Sequence, residues 1–360
     1  HIFPAVSIAN AIKEQLPDTE ILFVGAEGRM EMHRVPAAGY KIKGLPVAGF
    51  DRKNLLKNIP VLIKLFKSQQ LARKIVKDFR PHAAVGVGGY ASGAAMKVAA
   101  KMGVPILLQE QNGFAGVTNK LLKEDAKKIC VAYEGMERFF PKEKLILTGN
   151  PVRQGLRNHQ LSREESIRFF NLDPSKKTIL ILGGSLGART INQCLMSNLD
   201  KVKASGVQFI WQTGKIYIDE ARESVAKFGK LPMLHVTDFI SDMATAYSAA
   251  DLLISRAGAG SISEFCLLQK PVILVPSPNV SEDHQTKNAL ALVNKNAALY
   301  VKDAEAKDTL LDKAIEAVNQ PELLKNLSKN IAELAFTDSD NVIAKEVIKL
   351  AEKYKETHGC

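Results

Sequence analysis

Four short segments carry residue types and spacings suited to holding a phosphorylated, hydroxyl-rich ligand. The first, Gly86-Val-Gly-Gly-Tyr-Ala-Ser-Gly93, follows an apolar run at 82–87. Its glycines let a ligand or a second backbone come close, although tight packing alone accounts for such a turn equally well. The second, Gly183-Gly-Ser-Leu-Gly-Ala188, joins the apolar run 178–182 to a helical pattern through Ile191 and Leu195. Backbone N–H groups there can cradle a diphosphate, with the Ser185 hydroxyl donating to one of its oxygens. There is no Gly-x-Gly-x-x-Gly at this turn and no Lys-Ser/Thr after it, which disfavours a dinucleotide fingerprint and a P-loop. The third, Ser255-Arg-Ala-Gly-Ala-Gly-Ser-Ile-Ser-Glu264, places a carboxylate about one turn inside a helix. Glu264 can accept both hydrogen bonds of a ribose diol there, or serve only as a partner of the helix dipole. The fourth, residues 277–288, presents Gln285, an amide able to bind sugar hydroxyls or simply to satisfy backbone groups.

The elements that must position these segments are legible as β-branched runs alternating with amphipathic helical patterns. Strands are expected at 20–24, 82–87, 104–109, 128–132 and 145–147, then at 178–182, 207–212, 233–236, 251–255, 271–275 and 298–301. That alternation predicts an α/β fold of βα units with parallel sheets. In such sheets ligands sit beyond the carboxyl ends of the strands, where all four segments fall. Ser162-Arg-Glu-Glu165 reads as a capping box that opens a helix. The pattern ends at Gly149-Asn-Pro-Val-Arg153 and restarts, predicting two Rossmann-like domains with a hinge near Pro151. The expected divisions are 1–151, 152–336 and a terminal segment 337–360, whose apolar residues at 343, 347, 350, 351 and 354 have helical spacing.

Composition narrows the function classes. Of 360 residues, 46% are hydrophobic and 24% charged, which fits a folded chain rather than a disordered one. No run of about 18 apolar residues exists, and the opening HIFPAVSIAN lacks the basic and apolar regions of a signal peptide. Cys130, Cys194, Cys266 and Cys360 form no C-x-x-C pair and read as buried thiols, so a cytoplasmic protein is expected. Residues 1–150 hold 23 Lys/Arg against 13 Asp/Glu, whereas the other 210 are nearly balanced. Between Asp51 and Arg80, nine basic residues face two acidic ones. A helix there would carry Lys57, Lys64, Lys67 and Lys74 on one stripe and Leu55, Ile59, Leu62 and Phe66 beside it. Such a segment suits an anionic leaflet; a solvated helix packed on the sheet is the plainer alternative.

Taken together, His1-x-x-Pro4, Gly86-x-Gly-Gly-Tyr-x-Ser-Gly93, Glu110-Gln-Asn-Gly113, Gly149-Asn-Pro-Val-Arg153, Gly183-Gly-Ser-x-Gly-Ala188 and Glu264 resemble the MurG family, in order and over the whole chain. The resemblance implies a GT-B fold, two Rossmann-like parallel-sheet domains facing a cleft, with no cofactor and no tightly held metal. It implies an inverting transfer of N-acetylglucosamine from UDP-N-acetylglucosamine to undecaprenyl-pyrophosphoryl-muramoyl-pentapeptide in peptidoglycan synthesis, and with it roles in cell shape and division. The location implied is the cytoplasmic face of the bacterial inner membrane, as a peripheral protein on an anionic surface. Position by position, Ser185 matches the phosphate contact, Glu264 the ribose anchor, Ile240 the backbone that reads uracil, and Ala259, Gly260, Ser261, Ile262 and Ser263 the nucleotide lining. Asn112, Arg153 and Gln285 match donor-site positions; the residue after Gln285, an amide in some relatives, is Thr286 here. His1 matches the catalytic base, Glu110 is the second catalytic candidate, and Tyr90 lies on the acceptor side. The resemblance also implies a strand and a Gly-Gly-Thr-Gly-Gly turn before the His-x-x-Pro motif; this sequence begins at His1, so a truncated and catalytically poor form is expected.

Other readings share parts of this pattern. Another GT-B enzyme, such as a UDP-sugar:diacylglycerol transferase, would share the nucleotide half and diverge in residues 1–150. A nucleotide-sugar epimerase would bind the same donor without needing a basic amphipathic segment. A nucleic-acid-binding protein has only net charge in its favour: no recognition helix, RNP pattern or zinc motif is present, so no nucleic-acid partner is expected.

Overall fold

The computed structural model describes residues 1–49, 58–184, 187–280 and 283–359, with Gln154 described by its backbone alone. Two compact units result, one built from 1–152 and 336–360, the other from 153–335.

The first unit runs α1 (Ile2–Gln15), β1 (Leu22–Ala26), α2 (Glu31–Ala37), β2 (Lys41–Leu45), α3 (Ile59–Phe79), β3 (Ala84–Gly86), α4 (Tyr90–Lys101), β4 (Ile106–Glu110), α5 (Val117–Leu122), β5 (Ala126–Val131) and β6 (Leu145–Leu147). The second continues with α6 (Arg163–Phe169), β7 (Thr178–Leu182), α7 (Arg189–Ser197), α8 (Leu199–Ala204), β8 (Gln208–Gln212), α9 (Ile218–Phe228), β9 (Leu234–Thr237) and α10 (Met243–Ala249). It closes with β10 (Leu252–Ser255), α11 (Ala259–Leu267), β11 (Val272–Leu274), α12 (His284–Val293), β12 (Leu299–Tyr300), α13 (Asp303–Val318) and α14 (Pro321–Ala332). Finally α15 (Ser339–His358) returns to the first unit.

In the second unit the strands are wholly parallel in the order β12-β11-β10-β7-β8-β9. Renumbered within the unit this is 3-2-1-4-5-6 read from β9, the doubly wound order whose direction reverses between β7 and β10. The sequence dictates it: Thr-Ile-Leu-Ile-Leu in β7 and Leu-Leu-Ile-Ser in β10 are buried at every position, as strands covered by helices on both faces must be. Ile179, Ile181, Phe209 and Trp211 pack with Leu195 of α7 and Leu310 of α13. The Trp211 indole N–H donates to Asn192 at 2.9 Å, and the Asn192 amide donates to the Thr213 carbonyl at 2.8 Å, which pins α7 over the end of β8. The capping box at Ser162 and Glu165 is formed as expected, and Arg163 behind it makes a two-pronged contact with Asp251 at 2.7 and 3.0 Å.

In the first unit the parallel strands lie in two sheets, β1-β2 and β3-β4-β5-β6. A cavity of about 1440 Å³ separates β1 from β3, lined by Leu22, Val24, Val85, Ile8, Phe79 and Val347 among others. Ile343, Ala344 and Val347 of α15 pack against Ile8, Ala11 and Ile12 of α1 and against Leu107 and Cys130 of the sheet. Cys130, Cys194 and Cys266 are buried free thiols, pushed by desolvation to about 12, 11 and 12 respectively, so they remain protonated.

Gly149, after β6, fixes where the returning segment enters. Its φ of +74° is left-handed, and a Cβ there would stand 2.3 Å from the Phe336 ring. Gly149→Ala should therefore destabilise this unit by about 1–3 kcal/mol through backbone strain and overpacking. Thermal melts of the two proteins check this, and an unchanged melting temperature would refute it.

Candidate functional site

The best-defined polar site of the second unit lies beyond the carboxyl ends of β7 and β10, where the strand order reverses. β10 ends at Ser255, Gly258 in extended conformation precedes α11, and Glu264 sits on that helix with 6% exposure. A carboxylate so buried needs partners. Arg153 supplies two, Nε to Oε1 at 2.6 Å and Nη2 to Oε2 at 2.9 Å. Tyr247 of α10 supplies a third, its hydroxyl donating to Oε2 at 2.7 Å. Burial, then the charge of Glu264, lifts the Tyr247 hydroxyl well above its ordinary value, so it remains a donor. Burial works against the Arg153 cation, but its bonds to Glu264 raise it overall and keep it charged.

Around this carboxylate the remaining loops are stapled by side chains. Gln285 Oε1 accepts from the backbone N–H groups of Ala257 at 3.1 Å and Ser277 at 2.9 Å, which turns its NH₂ group away from both. Arg256 donates to the carbonyls of Val275 and Pro276 and pairs with Asp303 at the start of α13. Thr286 Oγ1 donates to Asp283 Oδ1 at 2.7 Å, a bond within the first turn of its own helix.

In the first unit His1 lies over the turn after β3. A Cβ on Gly88, whose φ is +99°, would meet the His1 ring at 2.8 Å, so only glycine permits this approach. His1 Nδ1 is 3.0 Å from Gln111 Oε1. Gln111 and Gln109 are buried at the end of β4.

Several sequence expectations need correction or completion. Glu110 is 3% exposed, and its carboxylate accepts from the Asn112 and Gly116 N–H groups and from the Asn119 amide at 2.9–3.1 Å. These bonds make it the organiser of the loop that carries Asn112. The Ile240 N–H donates to Gln212 Oε1 at 2.9 Å, so of the backbone expected to read uracil it is the carbonyl that this bond leaves open. Ile262 is 2% exposed, so only its backbone, not its side chain, can line a ligand. Ala259 is likewise buried, while Gly260, Ser261 and Ser263 are at least partly open. Ser185 lies outside the described residues, as do Leu55 and Lys57. Among the described residues no group of three or more acidic, His or Cys side chains could hold a metal. Tyr247, Gln109, Gln111, Asn150, Gln212 and Arg256 went unassigned in sequence, although three consecutive polar residues closing the apolar β4 run were a visible signal.

A doubly wound parallel sheet with an anchored carboxylate at its crossover places a ligand site where open α/β sheets bind nucleotides. The chain belongs to glycosyltransferase family 28: the family's N-terminal domain matches residues 1–131 and its C-terminal domain residues 178–346. Within it, the chain is 80% identical to the UDP-N-acetylglucosamine--N-acetylmuramyl-(pentapeptide) pyrophosphoryl-undecaprenol N-acetylglucosamine transferase of Phocaeicola vulgatus, covering 100% of this chain and 96% of that one. The Bacteroides fragilis protein of the same name is 68% identical over 98% of this chain and 93% of its own. The crystal structure of Acinetobacter baumannii MurG superposes with a TM-score of 0.76 at 25% identity, covering 97% of this chain and 96% of that one.

The Tyr247–Glu264 bond can be tested without any ligand. Tyr247→Phe removes one donor from a buried carboxylate and should lower the unfolding free energy of the second unit by about 1.5–3 kcal/mol. Urea denaturation that gives the same midpoint for both proteins would contradict this.

Proposed function

We propose that this chain transfers N-acetylglucosamine from UDP-N-acetylglucosamine to the C4 hydroxyl of the muramoyl sugar of undecaprenyl-pyrophosphoryl-muramoyl-pentapeptide, with inversion at the anomeric carbon. The observation that carries the reading is the buried, three-fold bonded Glu264 at the β7/β10 crossover; the named relatives support the choice of substrates.

The carboxylate's own capacity explains how a donor ribose would bind. Two carboxylate oxygens offer about four acceptor positions, and Arg153 and Tyr247 occupy three. A ribose diol brings two donors, so one Arg153 bond must give way. The guanidinium then becomes available to the donor diphosphate, while Tyr247 keeps the carboxylate oriented. The start of α11 directs N–H groups toward the phosphates, and the Gln285 NH₂ group donates to a sugar hydroxyl. Ser185 and Asn112 complete the donor contacts in this reading, and the carbonyl side of Ile240 takes the uracil edge. In the reaction the acceptor oxygen bonds to the anomeric carbon as the bond from that carbon to phosphate oxygen breaks. The hydroxyl proton passes to His1, and the charge growing on UDP meets fixed dipoles and Arg153, a gain specific to the transition state.

The membrane side of the reading rests on α3. Ile59, Leu62, Ile63 and Phe66 are 53–62% exposed, with Lys64, Lys67 and Lys74 exposed on the same helix. Apolar side chains left in water beside lysines fit a peripheral contact with an anionic leaflet, on the cytoplasmic face where the lipid-linked acceptor is made. No described helix is long and apolar enough to cross a membrane.

Two experiments check these assignments. Calorimetry should show Glu264→Ala weakening UDP-N-acetylglucosamine binding by about 1–3 kcal/mol, and Arg153→Met strengthening uridine while weakening UDP. Unchanged donor affinity in Glu264→Ala removes the ribose anchor; uridine bound no more tightly by Arg153→Met removes the exchange. For the membrane, reversing Lys64, Lys67 and Lys74 to Glu should cut cosedimentation with phosphatidylglycerol vesicles at low salt by about tenfold or more, at about 1 kcal/mol per basic residue, with UDP binding intact. Equal partitioning of the two proteins would leave α3 as a solvated helix.

A further inference from the structure

Three side-chain amides stand in line beneath His1, and their directions are not free. Gln109, Gln111 and Asn150 are 0%, 7% and 3% exposed. Asn150 Nδ2 donates to the Gln111 backbone carbonyl at 3.0 Å. A carbonyl only accepts, so the NH₂ end of Asn150 is fixed there, and its Oδ1 accepts from Gln109 Nε2 at 3.0 Å. Gln109 is thereby oriented too, with its Oε1 facing Gln111 Nε2, which donates to it. Gln111 Nε2 also donates to the Val87 carbonyl at 2.9 Å, a second acceptor-only anchor. With its nitrogen committed twice over, Gln111 turns Oε1 toward His1 Nδ1 at 3.0 Å. An amide oxygen cannot donate, so Nδ1 must carry a proton, and in the neutral ring Nε2 is then the bare nitrogen.

We propose that Gln111, backed by Gln109 and Asn150, is a positioning residue that fixes the tautomer of His1, holding its proton on Nδ1 so that Nε2 can accept the proton of the attacking hydroxyl. The proposal rests on the reading of His1 as the base. An unconstrained neutral histidine side chain in water favours the opposite tautomer, with the proton on Nε2, in which the nitrogen needed for chemistry is blocked. A carboxylate partner would also hold Nδ1–H, but it would stabilise imidazolium and slow return of the proton. A neutral amide sets direction without adding charge, and the backbone carbonyls at both ends prevent the line from flipping. Gly88 completes the arrangement by letting the ring come close to the turn, where a Cβ would stand 2.8 Å from it.

The test uses the protein of this sequence with ¹⁵N-labelled histidine, the His1 signals being assigned by their loss in His1→Ala. At pH 8 the wild-type spectrum should show protonated Nδ1 and bare Nε2. Gln111→Leu should shift the population toward Nε2–H and lower kcat by roughly 10–100-fold, as for other orienting partners, with little change in KM for UDP-N-acetylglucosamine. Gln109→Met should give a smaller loss that vanishes in the Gln111→Leu background, because it acts through the same bond. Gln111→Glu, which keeps an acceptor in place, should restore Nδ1–H and recover kcat above the Leu variant; it also serves if the Leu variant folds poorly. A wild-type proton on Nε2, or a folded Gln111→Leu protein with wild-type tautomer and kcat, overturns the relay. Turnover unaffected by His1→Ala overturns instead the reading of His1 as base on which the relay depends.

Discussion

Every strand pair among the described residues is parallel, and a parallel strand covered on both faces leaves only one place for polar chemistry. Its apolar length must be buried, and its carboxyl end must open into a turn that starts the next helix. β4 shows the consequence: Ile106, Leu107 and Leu108 are buried in the core, and Gln109, Glu110 and Gln111 follow with no change of direction. Polar groups carried so deep by the strand must find hydrogen-bond partners. The amide line beneath His1 and the loop held by Glu110 are the solutions found in the first unit; the Arg153–Glu264–Tyr247 cluster is the solution in the second.

Sequence alone revealed the strands that obey this rule most strictly. Thr178–Leu182 and Leu252–Ser255 are unbroken apolar runs, and their ends coincide with the glycine turns. It did not reveal β2, Lys41–Leu45, whose exposed lysines alternate with Ile42 and Gly44 and leave no apolar run to mark a strand. The split between β1-β2 and β3–β6 was also invisible, because strand pairing depends on which edges meet and not on the composition of either strand. In the site, glycine turns and Glu264 stood out by spacing. Tyr247 did not: it lies 17 residues before Glu264 in an alanine-rich helix, and only the packing of α10 brings its hydroxyl to the carboxylate.

Glu110 and Glu264 show why spacing could not separate a structural carboxylate from a binding one. Both are acids beyond a buried strand, both are under 10% exposed, and each accepts three hydrogen bonds. The difference lies in what the donors can do. The donors to Glu110 are two backbone N–H groups and the amide of buried Asn119; moving them means refolding the loop. Two of the three bonds to Glu264 come from one long side chain, Arg153, which is 39% exposed, so these two bonds are held by a group that reaches solvent and not by the backbone. A ligand competes on fair terms only with a donor that can return to water, where a guanidinium is well solvated and a buried backbone N–H is not. By that criterion the ribose contact proposed at Glu264 asks only for an exchange that its donors permit, whereas the donors to Glu110 are fixed, although the burial and coordination of the two are nearly the same.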